Sequence, residues 1–282
     1  MLGVFEKSLS RYEAVPLSHI ERETGFNAHQ LNFRLGRLNR FGFVMGSLHG
    51  YILNTSGLDA LALNSLAKKD LISGMGRAIG MGKESDVFES INESGVESVI
   101  KFYRIGRTSF RGTRKTRDYT SPQNQHQWLA INIGAAQKEA EGLTRAEKAM
   151  VNVPHFIARD RHAVLMSRVE GLMLYKCRRQ DIPAPEKLLE DIFWNLRRAY
   201  TSANMINADV SEYNILFDGT RAWIIDWPQF VSLSHKNAQE FLKRDIENVI
   251  IYFTKKFNLA TENPAALSFV SGKSDRIQIS QI

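Results

Sequence analysis

Leu31, Leu35 and Leu38 recur at i, i+4 and i+7, the spacing of one apolar stripe on a helix. Asn27 just before them can cap that helix. Gln30, three residues on, can reach back to it, and Phe26 can staple onto Leu31. A shorter helix is predicted over Leu17 to Thr24, with Gly25 as the turn between the two. Phe41 to Met45 and Gly50 to Leu53 predict a hairpin, and Ser56 to Lys68 a helix after it. From about residue 71 strand and helix patterns alternate. Val87 to Ser90 and Ser98 to Tyr103 predict strands, and residues 135–143 predict a helix. Ile215 to Phe217 and Ala222 to Ile225 predict a second hairpin, closed by the turn residues Asp218 to Arg221. Residues 190–196 and 241–253 predict amphipathic helices whose aromatic residues belong to the core.

Helix, turn, helix, hairpin, helix is the order of a winged helix-turn-helix. Arg34, Arg37 and Arg40 lie where a recognition helix would carry its phosphate contacts. The alternative is a small docking domain with solvated arginines. RNA and DNA are not distinguished by these residues.

Composition narrows this picture. The chain has 282 residues, is 43% hydrophobic and 24% charged, and has a net charge of +7. That balance suits one large or two smaller globular domains, and the positive charge favours an anionic partner. The apolar runs, such as Val249 to Phe253, fall far short of a membrane span. The N-terminus lacks the pattern of a signal peptide. Cys177 is the only cysteine, so no intrachain disulfide and no zinc cluster is expected. The expectation is a cytoplasmic protein with no membrane partner.

The chemistry gathers in five places. Gly80 and Gly82 can bring backbone N–H groups close to phosphate, with Lys83, Ser85 and Val87 next to them. Lys101 interrupts an apolar strand, where it either faces outward at an edge or reaches an anion. Glu139 lies in a helical stretch and is either solvated or paired with Lys101. Asp209 could accept a proton from an attacking hydroxyl. Asn214, five residues on, and Asp226, on the hairpin, are hard oxygen ligands of the kind Mg2+ uses. Glycine loop, strand lysine, helix glutamate, D-x-x-x-x-N and a strand-borne Asp form the layout of phosphoryl transfer in protein kinases.

At these residues the chain resembles the RIO family of atypical protein kinases, and most closely its Rio2 branch. The resemblance rests on Gly-Lys-Glu-Ser-Asp-Val-Phe at 82–88, Arg-Ile-Gly-Arg-Thr-Ser-Phe-Arg at 104–111, Arg117-Asp118-Tyr119 and Ile225-Asp226-Trp227-Pro228-Gln229. It implies an α+β fold: a two-lobed protein-kinase-like RIO domain over 73–282, preceded by a winged helix-turn-helix domain over 1–72. The N-lobe would run to about residue 166 and the C-lobe from about 167. It also implies a serine/threonine kinase or ATPase with ATP and Mg2+, or Mn2+ in its place. The small ribosomal subunit precursor and its rRNA would be partners, and the chain itself a phosphoryl acceptor. By the same resemblance Lys101 and Ser85 would touch phosphate, Glu139 would orient Lys101, and Asp209 would be the catalytic aspartate. Asn214 and Asp226 would hold metal, and Met166, Ser167 and Val169 would form the adenine-binding hinge.

Asn207 and Ala208 stand where the family usually has His-Gly. Alanine tolerates fewer backbone conformations than glycine, so the loop or its rate could differ. An inactive, nucleotide-gated RNA- or DNA-binding protein is the alternative this departure favours. A small-molecule phosphotransferase shares the Asp-x4-Asn loop, but the N-terminal domain speaks against it. No Ala-Pro-Glu element follows Asp226, where ordinary kinases carry one (Ala184-Pro185-Glu186 stands upstream of Asp209), which argues against a broad peptide kinase. Arg107, Arg111, Arg114, Lys115 and Arg117 crowd around Thr108, Ser109, Thr113 and Thr116. That segment reads as a solvated loop that either contacts RNA or accepts phosphate.

Overall fold

The computed structural model describes residues 1–106 and 122–281, with the backbone alone for 122–125. The basic, hydroxyl-rich segment around Arg107 to Arg117 and the motif Arg117-Asp118-Tyr119 lie outside the described residues. The chain divides into two compact units. The first comprises Met1–Ala136 with Ala158–Leu165, and the second comprises Gln137–Ile157 with Met166–Ile282.

The first unit opens with helices α1 (Leu2–Ser8), α2 (Leu17–Thr24) and α3 (Ala28–Arg40). The hairpin β1 (Val44–Ser47) and β2 (Gly50–Leu53) follows, and then α4 (Thr55–Ala67). This is the winged helix-turn-helix order. The expected capping box forms: Gln30 N–H donates to Asn27 Oδ1 at 2.9 Å, and Asn27 N–H to Gln30 Oε1 at 3.2 Å. Two of the orphan N–H groups at the start of α3 are thereby satisfied. Gly25, at φ +67, makes the turn into it. Leu31 and Leu35 are buried with Phe5, Ile20, Leu53 and Leu58, while Leu38 sits at the margin of that core.

The hairpin begins later than the hydrophobic pattern suggests. Phe41 donates its N–H to the Arg37 carbonyl and ends α3, and Gly42 at φ +71 reverses the chain before Val44. Helical hydrogen bonding thus overrides the strand preference of Phe41 and Phe43.

Strands β3 (Gly74–Met81), β4 (Ser85–Ile91) and β5 (Glu97–Tyr103) come next. Helix α5 (Pro122–Lys148) and strands β6 (Phe156–Asp160) and β7 (Ala163–Ser167) complete the set, and the sheet order is β3-β4-β5-β7-β6. A buried ionic cluster ties the sheet to α4. Arg104, just beyond β5, donates to both oxygens of Asp59 at 2.8 and 2.7 Å and to Asp86 at 3.1 Å. His162, fully buried, places Nε2 2.8 Å from Asp59 Oδ1. Burial pushes the Asp59 carboxyl up, but the hydrogen bonds and charges of His162 and Arg104 outweigh it and hold the group below its ordinary value.

The second unit holds β8 (Leu172–Met173), α6 (Pro185–Thr201), β9 (Met205–Ile206), β10 (Ile215–Phe217) and β11 (Ala222–Ile224). Strand β12 (Val231–Ser232) and helices α7 (Ala238–Phe257) and α8 (Asn263–Val270) follow. The predicted hairpin is the antiparallel pair β10–β11, with Leu216 opposite Trp223, and β8 extends it on the other side. The amphipathic helices behave as expected. Leu189, Ile192 and Phe193 of α6 and Val249 and Phe253 of α7 are buried, and Trp194 meets Phe269 of α8 edge-on at 5.0 Å. Among the described residues no helix is long and apolar enough to cross a membrane.

Candidate active site

In the first unit the glycine segment is a β-hairpin whose strands extend further than its sequence suggests. Gly80 lies inside β3, paired with Val87, and Ser85 opens β4 rather than sitting in a loop. The turn itself is Gly82-Lys83-Glu84, closed by a Gly82 N–H bond to the Ser85 carbonyl at 2.8 Å. Neither Gly80 nor Gly82 has positive φ, so the glycines are not needed for a left-handed turn. What they leave is backbone uncovered by side chains, next to the exposed Lys83.

Lys101 lies on β5, in the middle of the sheet and opposite Val87, and is buried. The edge-strand alternative therefore falls. Its ammonium is 4.9 Å from the Tyr103 ring centroid. A buried ammonium at the strand centre requires compensating polar or aromatic groups.

The second unit gathers the carboxylates. Residues Asp209 to Asn214 lead into β10, and Asp226 follows β11. The backbone N–H of Ile225 bonds the Asn214 carbonyl at 2.9 Å and closes this end of the hairpin. Asn214 Nδ2 donates to Asp209 Oδ2 at 3.0 Å and to the Asp209 carbonyl at 2.8 Å. The Asn214 amide nitrogen is thus committed to Asp209, which leaves Oδ1 as the group able to ligate a cation. Burial, and then the Asp226 charge, raise the Asp209 carboxyl above its ordinary value, while Asn214 and Arg244 oppose the shift. A carboxyl raised in this way is a better proton acceptor than a free aspartate.

Glu139, on α5, is almost fully buried and accepts the Trp227 N–H at 2.7 Å. It fixes the backbone directly after Asp226, so it is not a solvated helix residue. Asp226 itself stands at φ +69, a conformation costly for a side chain with a Cβ. Gly142, one turn along α5, has no room for a side chain: a Cβ there would lie 2.7 Å from that of Trp227.

Ala208 is left-handed as well, at φ +66, and buried. Its N–H donates to Asp245 Oδ2 at 2.8 Å, and the Val210 N–H to Asp245 Oδ1 at 3.1 Å. Arg244 donates to the Ala208 carbonyl. The loop that carries Asp209 is therefore held on both sides by α7. The sequence reading missed Asp245. Its signal was a carboxylate on the apolar face of that helix, among Leu242, Ile246 and Val249.

Of the expected hinge, Met166 is buried and the Ser167 N–H bonds the His155 carbonyl at 2.9 Å. Ser167 Oγ accepts the His155 N–H. The chain passes from the first unit to the second between Leu165 and Met166. Arg34, Arg37 and Arg40 are all exposed on α3. Arg34 lies 4.4 Å from the Phe26 ring centroid, and Arg37 lies 5.8 Å from that of Phe41.

This α+β fold, with a strand lysine and an Asp-x4-Asn loop feeding a hairpin that ends in Asp226, defines a protein-kinase-like protein. The comparisons with known proteins narrow the class. A family model of the RIO domain matches residues 86–266, and one described as Rio2, N-terminal, matches residues 1–69. The chain is 37% identical over 260 residues to a RIO-type serine/threonine-protein kinase Rio2 of Methanocaldococcus jannaschii, covering 90% of this chain and 95% of that one. It is 32% identical to the serine/threonine-protein kinase rio2 of Dictyostelium discoideum, with 93% of this chain covered but only half of that protein's length. The Rio2 kinase of Chaetomium thermophilum, solved as an ADP/Mg2+-phosphoaspartate complex, superposes with a TM-score of 0.80 at 28% identity. That match covers 96% of this chain and 85% of that one. The chain belongs to the RIO kinase family, in its Rio2 branch.

Proposed function

We propose that this protein is an ATP- and Mg2+-dependent serine/threonine kinase or ATPase of the Rio2 type. One observation carries the reading: Asn214 bonds Asp209 at 3.0 Å and shares the closed end of the hairpin with Asp226. An amide oxygen and a carboxylate are the donor chemistry that suits Mg2+, which takes few protein ligands. When bound, the cation would neutralise charge on the phosphates. Asn214 and Asp226 would hold it, and Asp209 would orient the attacking hydroxyl and accept its proton. Lys101, Ser85 and the backbone of the Gly80–Val87 hairpin would take phosphate oxygens, and residues 166–169 would take the adenine by backbone hydrogen bonds. The crystallised relative with ADP and Mg2+ supports this choice of ligands.

Maturation of the small ribosomal subunit in the cytoplasm is the cellular role the branch suggests, with subunit precursor and rRNA as partners. The same reading divides the chain into a winged helix-turn-helix domain over residues 1–72 and a kinase domain over 73–282; family matches over 1–69 and 86–266 support a division of this kind.

The test uses γ-labelled ATP and Mg2+, scoring both free phosphate and label retained on protein. Turnover in the wild type that is lost in Asp209→Ala and Asp226→Ala is the expected result. Equal turnover in all three proteins sinks the reading.

A second reading, a nucleotide-gated nucleic-acid-binding protein without turnover, is favoured by the exposed arginines of α3 and the strained Ala208. ATP binding without hydrolysis, together with RNA affinity that falls steeply with salt, would decide for it.

A further inference from the structure

The second unit carries a pocket of about 570 Å³ that the phosphate chemistry does not use. Its lining includes Glu212, Tyr213, Asn248, Ile251, Lys255 and Lys256. One wall, Ser211 to Tyr213, begins two residues after Asp209, and the other is the exposed side of α7. An acceptor chain presented to Asp209 would therefore have its flanking residues close to this pocket.

The pocket rim is built rather than incidental. Tyr252 donates its hydroxyl to the Leu174 carbonyl at 2.6 Å. Lys256 donates to the Cys177 carbonyl and to the Tyr252 hydroxyl, and Tyr175 N–H bonds the Glu212 carbonyl at 3.1 Å. These bonds fix the segment 174–177 against the catalytic loop and α7. The exposed Tyr175 ring then packs 5.0 Å from that of Tyr213, and Lys176 projects beside it. The charges are unequal. Lys255 and Lys256 line the pocket with one acid, Glu212, Lys176 lies over the Tyr175 ring, and Asp181, which also feels the Lys256 charge, is already paired with Arg178.

Two lining lysines, with Lys176 beside Tyr175, border tyrosine and isoleucine surface and complement a chain that is acidic with intervening apolar atoms. We propose that this pocket is the acceptor-flank subsite, and that the polypeptide phosphorylated here is acidic around its serine or threonine. The proposal rests on the phosphotransferase reading. It also supplies a surface that holds the acceptor chain, the role an Ala-Pro-Glu element after Asp226 has in ordinary kinases. A single-stranded nucleic acid could use the same lysines and rings, but it offers no hydroxyl amino acid to a serine/threonine kinase.

The experiment compares synthetic peptides with one serine among Glu and Asp, among Gln, or among Lys, using the full chain and the double variant Lys176→Glu/Lys255→Glu. Neither lysine belongs to the phosphate site. The acidic peptide should show a KM about tenfold below that of the Gln peptide, and the double variant should erase that difference with kcat and ATP hydrolysis retained. Binding of the acidic peptide with alanine in place of serine, read by fluorescence anisotropy, should weaken in parallel. Equal KM for the three peptides, or a double variant with unchanged KM, overturns the proposal. So does a single-stranded oligonucleotide that binds in a lysine-dependent way while the acidic peptide does not. ATP hydrolysis with neither peptide phosphorylation nor peptide binding removes the subsite and leaves the phosphotransferase reading standing. Absent hydrolysis removes that reading, and the anisotropy arm still decides the pocket.

Discussion

The Asn207 side-chain amide donates to the Asp226 carbonyl at 2.9 Å, and its Oδ1 accepts the Asp209 N–H at 3.1 Å. One buried side chain thus joins the backbones of the two aspartates of the candidate site. The residue that departs from the usual histidine of this family provides a linking hydrogen-bond pair of its own. Asn207→Ala should remove both part-buried bonds and destabilise the protein by ~1–3 kcal/mol. Asn207→Asp keeps the acceptor for Asp209 but sets a carboxylate against the Asp226 carbonyl. Thermal melting and ATP turnover should both fall for Asn207→Ala. Turnover should fall for Asn207→Asp as well, even where melting is partly preserved.

Ala208 occupies the left-handed region at φ +66. Glycine removes a conformational cost of ~1–2 kcal/mol there, but returns ~0.4–1 kcal/mol through the freer unfolded chain. Ala208→Gly should therefore raise the stability by roughly 0.5–1 kcal/mol, read as a higher denaturation midpoint at constant slope. A lower midpoint would mean that the alanine methyl contributes packing worth more than the strain.

Burial pushes the Asp245 carboxyl up to about 7, against the lowering effect of the Ala208 and Val210 N–H groups and of Arg244. The folded value lies above the unfolded one, so the native state binds the extra proton between them. Stability should accordingly decline as pH rises from about 4 to about 7 and then level off with respect to this group. Asp245→Asn should flatten that slope. It should also cost one of the two backbone bonds, because an amide nitrogen cannot accept. Denaturation across pH for the two proteins, with a carbon-detected titration of Asp245, checks both points.

Arg104 is the shared partner of Asp59 and Asp86 in a cluster that joins α4 to the sheet. Arg104→Ala should cost ~3–5 kcal/mol, since it leaves buried carboxylates without their guanidinium. Asp59 is held below its ordinary value of 3.8. Its stabilising contribution is therefore fully present above that value and lost as pH falls through the lower folded one. Acid unfolding of the wild type should be steeper below pH 4 than that of Asp59→Asn.

The local features were legible in the residues themselves. The capping box at Asn27 and Gln30 and the Leu31–Leu35 stripe follow from short-range geometry, and so does the hairpin around Asp218 to Arg221. Each depends on residues within a few positions of one another. The order Lys101, Glu139, Asp209, Asn214, Asp226 was also readable, because the chemistry demands particular side-chain types in sequence. Partners distant along the chain were not. Nothing near Ala208 announces that Asp245, 37 positions away, takes its N–H, and nothing near Glu139 announces the Trp227 N–H 88 positions on. Gly80 and Ser85 looked like loop residues because glycine and serine favour turns, yet cross-strand bonding drew both into strands. Lys101 could have faced water until the sheet order put β5 between β4 and β7. The sequence by itself determined which groups could do the chemistry. The tertiary structure decided which of them are buried, what holds their backbones and in what conformation, because desolvation and long-range hydrogen bonding exist only once distant segments are packed together.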